Sequence, residues 1–164
     1  MHPISNEHRA QGQRNKKVAY HLFDNTEYFD WVLTTAFYSA LHIIKYHLFP
    51  FQDKNDLYSD WNEYYSKRNN GDQPHKVLKA LCRRANSTKD IFSDYIILFN
   101  ECDTARYKTY KINRTAAVRA LMHLEKIFDK CNSDKTEAKT KNPQPKERKR
   151  KRISRASEAK EDKK

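Results

Sequence analysis

The sequence predicts an all-α fold, an antiparallel bundle of four to five helices followed by a disordered basic tail. Three observations carry this. Only two glycines, Gly12 and Gly71, occur in 164 residues. Leu, Ala, Lys, Arg and Glu dominate the periodic stretches, and no alternating strand pattern is present. Apolar residues recur at helical spacing in segments joined by short links, which suits antiparallel neighbours.

A first helix is expected from after Ser5 to about Phe23, where Asp24 and Asn25 break the pattern. Thr26 is placed to cap a second helix that runs through Leu48 and is ended by Pro50. Residues 50–73 read as a polar connection containing Tyr58, Trp61, Tyr64 and Tyr65, with a short helix within DLYSDWNEYYSKR and a loop at RNNGDQP. Pro74 suits the first turn of a third helix that sets Val77, Leu78, Leu81 and Cys82 on one side. After NST, Ile91, Phe92, Tyr95, Ile96, Leu98, Phe99 and Cys102 follow helical spacing. Asn113 is placed to cap a last helix with the stripe Ala117, Val118, Leu121, Met122, Leu124 and Phe128.

Between Trp31 and Phe49 the only formally charged residue is Lys45. A helix apolar all round must be surrounded. Either it is the central helix of a monomeric bundle, or its remaining face packs on a second copy as a twofold dimer.

The net charge of +12 is uneven. Residues 132–164 hold 13 of the 33 Lys and Arg and six of the 21 Asp and Glu, a net of +7. Ile153 is the one large apolar side chain there, so the segment cannot bury enough surface to offset its ordering entropy. The expected division is therefore a helical domain over 1–131 and a disordered tail over 132–164. Cys82, Cys102 and Cys131 show no CxxC spacing and suit a reducing compartment. No signal core or membrane span is read, so a cytoplasmic location is expected. Phosphate-binding Gly-rich loops, zinc spacings and nucleophile elbows are absent from the sequence, and neither metal nor cofactor is expected.

The segment DWVLTTAFYSALHIIKYHL resembles the second helix of bacterial HEPN-domain proteins, in one branch of which that helix reads roughly Asp-Trp-…-Phe-Tyr-x-Ala-Leu-His. PHKVLKAL resembles the branch's third helix, YIILFNECDTARYKTY its Tyr-x-x-Leu…Ala-Arg-Tyr segment, and NRTAAVRALMHLEKIF its closing helix. The resemblance spans about residues 8–129, in order. It implies an all-α, commonly dimeric bundle used in RNA-directed defence, including toxin–antitoxin and other anti-phage systems. Active members of the family are metal-independent ribonucleases. Their motif is an Arg, often followed by Asn, Asp or His, and then a His after four to six residues. An Arg holds the scissile phosphate, and a His moves protons while the RNA 2′-OH attacks.

RNKKVAYH (Arg14 to His21) and RNNGDQPH (Arg68 to His75) both satisfy that pattern. With Asn required after the Arg, a chain of this composition yields about 0.1 such matches by chance, so two stand out. At the late helix where many active members carry the motif, this chain reads ARYKTYKINR, without a histidine.

Arg14 and His21 share a helix face two turns apart, either as a phosphate grip or as a solvated basic face. Arg68 and His75 flank the Gly/Pro loop, with His75 at a helix start whose amides also favour anions. They form the first-choice catalytic pair; the alternative is a loop arginine and a histidine serving its own backbone. His42, one turn after Tyr38, is either a neutral imidazole hydrogen-bonded to Tyr107 or another helix, or a supporting residue facing a cleft with Arg106. Arg106 either binds phosphate or pairs with Asp30 or Asp103. The aromatics at 58–65 either stack on bases or form a lid over the core.

In the tail, Lys146, Arg148, Lys149, Arg150, Lys151, Arg152 and Arg155 would attract RNA or DNA by counterion release. Anionic lipid, nuclear import or plain solubility are the competing uses of such a run. Two functions follow. One is an RNA-associated, HEPN-like defence or toxin–antitoxin component, a metal-independent endoribonuclease if it is an enzyme at all. The other is a non-catalytic dimerisation and nucleic-acid-binding module acting with a cognate antitoxin or operon partner.

Overall fold

The computed structural model describes residues 3–108 and 111–141, with side chains over 6–108 and 111–133. Helices α1 (Pro3–Asn25) and α2 (Phe29–Leu48) form an antiparallel hairpin. Gly12 lets them approach closely. A Cβ there would lie 3.2 Å from the Ile43 amide nitrogen, and the Ser39 hydroxyl donates to the Gly12 carbonyl at 2.7 Å. Thr26 does not cap α2, which begins three residues later. Its hydroxyl donates to the Leu22 carbonyl at 2.7 Å and accepts from the Tyr28 amide, closing the link instead. Helix α2 stops where expected: Phe49 is extended (φ −101°, ψ 143°), the conformation a following proline imposes.

The polar connection holds an antiparallel hairpin, β1 (Phe51–Asp53) and β2 (Asp56–Tyr58), that the sequence did not announce. Strands of three residues are too short to show alternation, and Lys54, not glycine, takes the positive φ in the turn. The short helix is α3 (Trp61–Arg68). Asp60 caps it by accepting from the Asn62 and Glu63 amides, and the Glu63 carboxylate accepts from the Ser59 amide. Trp61 and Tyr64 are buried against Phe49 and Tyr58 against Tyr64, so these aromatics form the lid over the core.

Helix α4 (Pro74–Arg84) starts on its proline and buries Val77, Leu78, Leu81 and Cys82. A 3-10 turn (Asn86–Ile91) leads into α5 (Phe92–Tyr107), and α6 (Arg114–Lys141) follows. Asn113 caps α6 through the Ala116 amide at 2.9 Å. The buried face of α6 is Ala117, Ala120, Leu121, Leu124, Ile127, Phe128 and Cys131; Val118 and Met122 lie outside it, 40% and 57% exposed. Helix α6 also runs past the expected boundary at residue 131. Nothing in DKTEAKTK breaks a helix, so a helix anchored in the core propagates through it. The remainder of the expected disordered tail, with its basic run, lies outside the described residues.

Among the described residues the architecture is thus six α-helices with α2 at the centre, packed on α1, α5 and α6. Those neighbours account for its apolar surface: Val32, Ala36, Ala40, Ile43 and Ile44 have no exposed area. Among the described residues no helix is long and apolar enough to cross a membrane.

Candidate functional site

One face of α2 is not apolar. Thr34, Tyr38, His42 and Lys45 recur at spacings of three and four, so they form a polar stripe along one side of the helix. That stripe is half-buried along the seams where α1, α4 and α5 meet α2.

At the middle of the stripe lies an open cleft of about 320 Å³, lined by Tyr38 from α2, His75 from α4, and Phe99, Asp103 and Arg106 from α5. Arg106 occupies the last turn of α5. Its Nη1 donates to the Tyr38 hydroxyl at 3.1 Å, and its guanidinium lies 4.8 Å from the centre of the Tyr107 ring. Neither Asp30 nor Asp103 pairs with it; Asp103 is taken by Lys108 at 2.6 Å. The positive charge therefore faces the cleft with a neutral phenol as its hydrogen-bond partner.

His75 is in the first turn of α4, with its ring edge-on to Phe37, Tyr38 and Phe99. Its Nδ1 is buried without a partner, which leaves Nε2 as the nitrogen able to meet a ligand. Burial, and then the positive charges of Lys45 and Arg106, hold this imidazole below its ordinary pKa of 6.5. It is neutral at physiological pH and able to accept a proton.

His42 lies one turn further along α2. It bonds neither Tyr107 nor Arg106. Its Nδ1 is 2.9 Å from Nδ1 of His8 on α1, so one ring donates and the other accepts. Burial pushes both down to about 4, helped by His8 and Lys45 at His42 and by Lys45 at His8. Lys45 is itself lowered by burial to about 8 and sits over the Trp61 ring.

Arg68 is elsewhere. The loop after α3 turns through Asn70 (φ 48°) and Gly71 (φ 80°), and this carries Arg68 away from His75 although seven positions separate them. Arg68 lines a different cleft with Asp53, Tyr64 and Arg84. There it donates to the Tyr58 hydroxyl at 2.7 Å and to Asp56 at 3.0 Å, with Asp53 at 3.8 Å. The structure thus brings His75 and Arg106 together, sets His42 in a separate pair, and ties Arg68 to the hairpin. Arg14 and His21 are exposed on α1, with His21 near Asn25. Lys146, Arg148, Lys149, Arg150, Lys151, Arg152 and Arg155 lie outside the described residues.

Tyr38 is the site residue that motif reading passed over. Its signal was present: a tyrosine in register with Thr34, His42 and Lys45 on an otherwise apolar helix. No group of three or more metal-ligating side chains occurs among the described residues. No family model matches the chain, and no curated protein or solved structure matches it either.

Proposed function

We propose that the protein is an RNA-associated, metal-independent endoribonuclease of a HEPN-like kind, with its reaction centre at Tyr38, His75 and Arg106. The observation that carries this reading is an arginine with no carboxylate partner among the described residues, in the same cleft as a neutral histidine. Such a guanidinium is free to hold a phosphodiester through two of its N–H groups.

The chemistry needs only the substrate's own nucleophile. His75 Nε2 takes the proton from the RNA 2′-OH as that oxygen attacks the adjacent phosphorus. Arg106 stabilises the charge that builds on the phosphoryl oxygens. Because the Tyr38 oxygen accepts from Arg106, its own proton is free to pass to the departing 5′-oxygen. The new bond is 2′-O–P, the broken one is P–O5′, and the products are a 2′,3′-cyclic phosphate and a 5′-hydroxyl. The phenolate then regains a proton from solvent and the His75 imidazolium releases one to it, which restores both groups.

The test is incubation of purified full-length protein with labelled single-stranded RNA and tRNA in EDTA. Cleavage that leaves cyclic-phosphate ends and disappears with His75→Ala in a folded variant is the expected result. Cleavage retained in that variant overturns the site.

The resemblance behind this chemistry extends to a homodimer, a cognate antitoxin or operon partner, and cytoplasmic action in defence. Exposed Ile97, Val118 and Met122 on α5 and α6 offer apolar surface for a second copy.

A second reading is a non-catalytic module that binds nucleic acid through the tail and the Arg106 cleft. It is favoured by the orphaned Nδ1 of His75, since no carboxylate or carbonyl fixes its tautomer as proton-transfer histidines usually require. Its signature is salt-sensitive RNA binding without cleavage, lost on deletion of residues 141–164.

A further inference from the structure

The cleft continues past Arg106 toward the start of α2. This second compartment, of about 290 Å³, is lined by Asp30, Trp31, Thr34, Arg106 and Tyr107. Three of its features remain available to a ligand, although Asp30 also sits in the first turn of α2 and Tyr107 carries the Arg106 guanidinium on its ring. The Asp30 carboxylate makes no ion pair or side-chain hydrogen bond among the described residues; only the Asp30 carbonyl is engaged, by the Thr34 hydroxyl at 2.9 Å. Trp31 is 59% exposed although it belongs to the most buried helix, and Tyr107 is 63% exposed. Asp30 and Arg106 line one compartment yet do not pair with each other. The pocket therefore offers an anionic hydrogen-bond acceptor, a cation and two aromatic faces at once.

A single ligand chemistry uses all four. Unpaired nucleobases stack on exposed aromatic rings, while their Watson–Crick edges are read by hydrogen bonds. A carboxylate presents two acceptors side by side. Guanine presents two adjacent donors, N1–H and the N2 amino group. Adenine and cytosine place a ring acceptor beside their amino group, which a carboxylate repels, and uracil has one donor between two carbonyls. We propose that Asp30, Trp31 and Tyr107 form a guanine pocket, so that the substrate class is single-stranded RNA with a G beside the phosphate held by Arg106. The phosphate placement rests on the reaction centre proposed above; the base pocket has its own observations.

The test uses the full chain with fluorescently labelled uridine octamers that contain one internal G or one internal A, followed by anisotropy and, in parallel, by gel. Binding of the G octamer tighter by about tenfold or more is expected, since a good bidentate base contact discriminates at that scale. Asp30→Asn should bring the two octamers within about threefold of each other. Trp31→Ala should weaken both, with Trp31→Phe restoring most of the loss because a ring face remains. Circular dichroism verifies that the variants fold, and the exposed position of Trp31 makes its replacement tolerable. Equal binding of the two octamers, absence of binding to either, or a G preference that survives Asp30→Asn overturns the pocket. The gel separates the two ideas. Cleavage without G preference sinks the pocket and leaves the nuclease, whereas Asp30-dependent G binding without cleavage keeps the pocket and sinks the nuclease.

Discussion

Arg68 and Arg106 occupy equivalent places, each in the last turn of a helix and each beside a tyrosine hydroxyl, but their surroundings are opposite. Arg68 has Asp56 at 3.0 Å and Asp53 at 3.8 Å in addition to Tyr58. Arg106 donates to the Tyr38 hydroxyl and also contacts the Cys102 thiol, with no ion-pair partner among the described residues, in a cleft that also holds His75. The first arginine has its charge answered by the protein and acts as a clasp between hairpin and helix. The second has its charge held ready by a neutral group. The interval alone thus does not bring Arg68 and His75 into one cleft; the packing of α4 and α5 on α2 puts Arg106 there instead.

The sharpest way to break this comparison is at its histidine. His75→Ala should lower RNA cleavage by about 10²–10⁴-fold, the usual worth of a positioned proton-transfer group. Since burial and the nearby cations depress the imidazole, its neutral form persists to lower pH than in a free histidine. The acidic limb of the wild-type rate profile should accordingly fall below pH 6.5. Initial rates across pH 4.5–8 measure both, and a limb at or above the free-imidazole value would mean that another group is the base.

Arg106→Ala should cost about 10²–10³-fold, on the scale of losing one preorganised charge donor to a transition state. Arg106→Lys should recover little, because an ammonium lacks the fork that grips two phosphoryl oxygens. Single-turnover rates with saturating RNA distinguish this from weakened binding. Full activity in Arg106→Lys would show that only a point charge is needed there.

How much of this was legible in the sequence follows from the range of the contacts. The central role of α2 could be read locally, because a largely apolar run whose only formally charged residue is Lys45 has to be surrounded. The Asn113 cap, the Pro74 start and the Pro50 stop are also local, and each stands where it was read. The outer position of Val118 and Met122 was not legible, since an apolar residue shows its spacing and not which neighbour covers it. The candidate site escaped for a similar reason. Tyr38 and Arg106 meet across 68 positions, through the packing of α5 on α2. The carboxylates that engage Arg68 come from a hairpin too short to show any alternation. The loop that parts Arg68 from His75 depends on Asn70 and Gly71 both adopting positive φ, of which the sequence showed only a probable turn.

Acid should separate the two regions next. His8 and His42 each have a folded pKa of about 4 against an ordinary 6.5, so the unfolded chain binds more protons between those values. The stability the neutral pair contributes is complete above pH 6.5 and declines as pH falls toward 4. The rings are only half-buried and share one hydrogen bond, so water screening leaves about 1–2 kcal/mol of the larger linkage value for the pair. Urea midpoints at pH 7.5 and pH 5 measure the loss. The double replacement His8→Gln, His42→Gln should flatten it, whereas an unchanged pH slope in that variant would place the acid-sensitive groups elsewhere.

The smallest expected effect is at Arg68, and it is the most discriminating. If Arg68 is a clasp, Arg68→Ala should leave cleavage within about twofold of wild type, since it removes no group from the reacting cleft. It should lower the thermal midpoint by only about a few degrees, because Arg68 and Asp56 are solvent-exposed and Asp53 keeps Arg84 as a partner. Asp56→Ala should do the same, for it removes the other half of the same pair. The two replacements combined should cost less than the sum of their separate effects, as expected for residues that act on each other. A large loss of cleavage in Arg68→Ala alone, with Asp56→Ala silent, would restore the sequence motif as the site and make the Tyr38–Arg106 contact a structural pair. That outcome would reverse the assignment of the two arginines, because a clasp needs both of its halves and a catalytic arginine does not need Asp56.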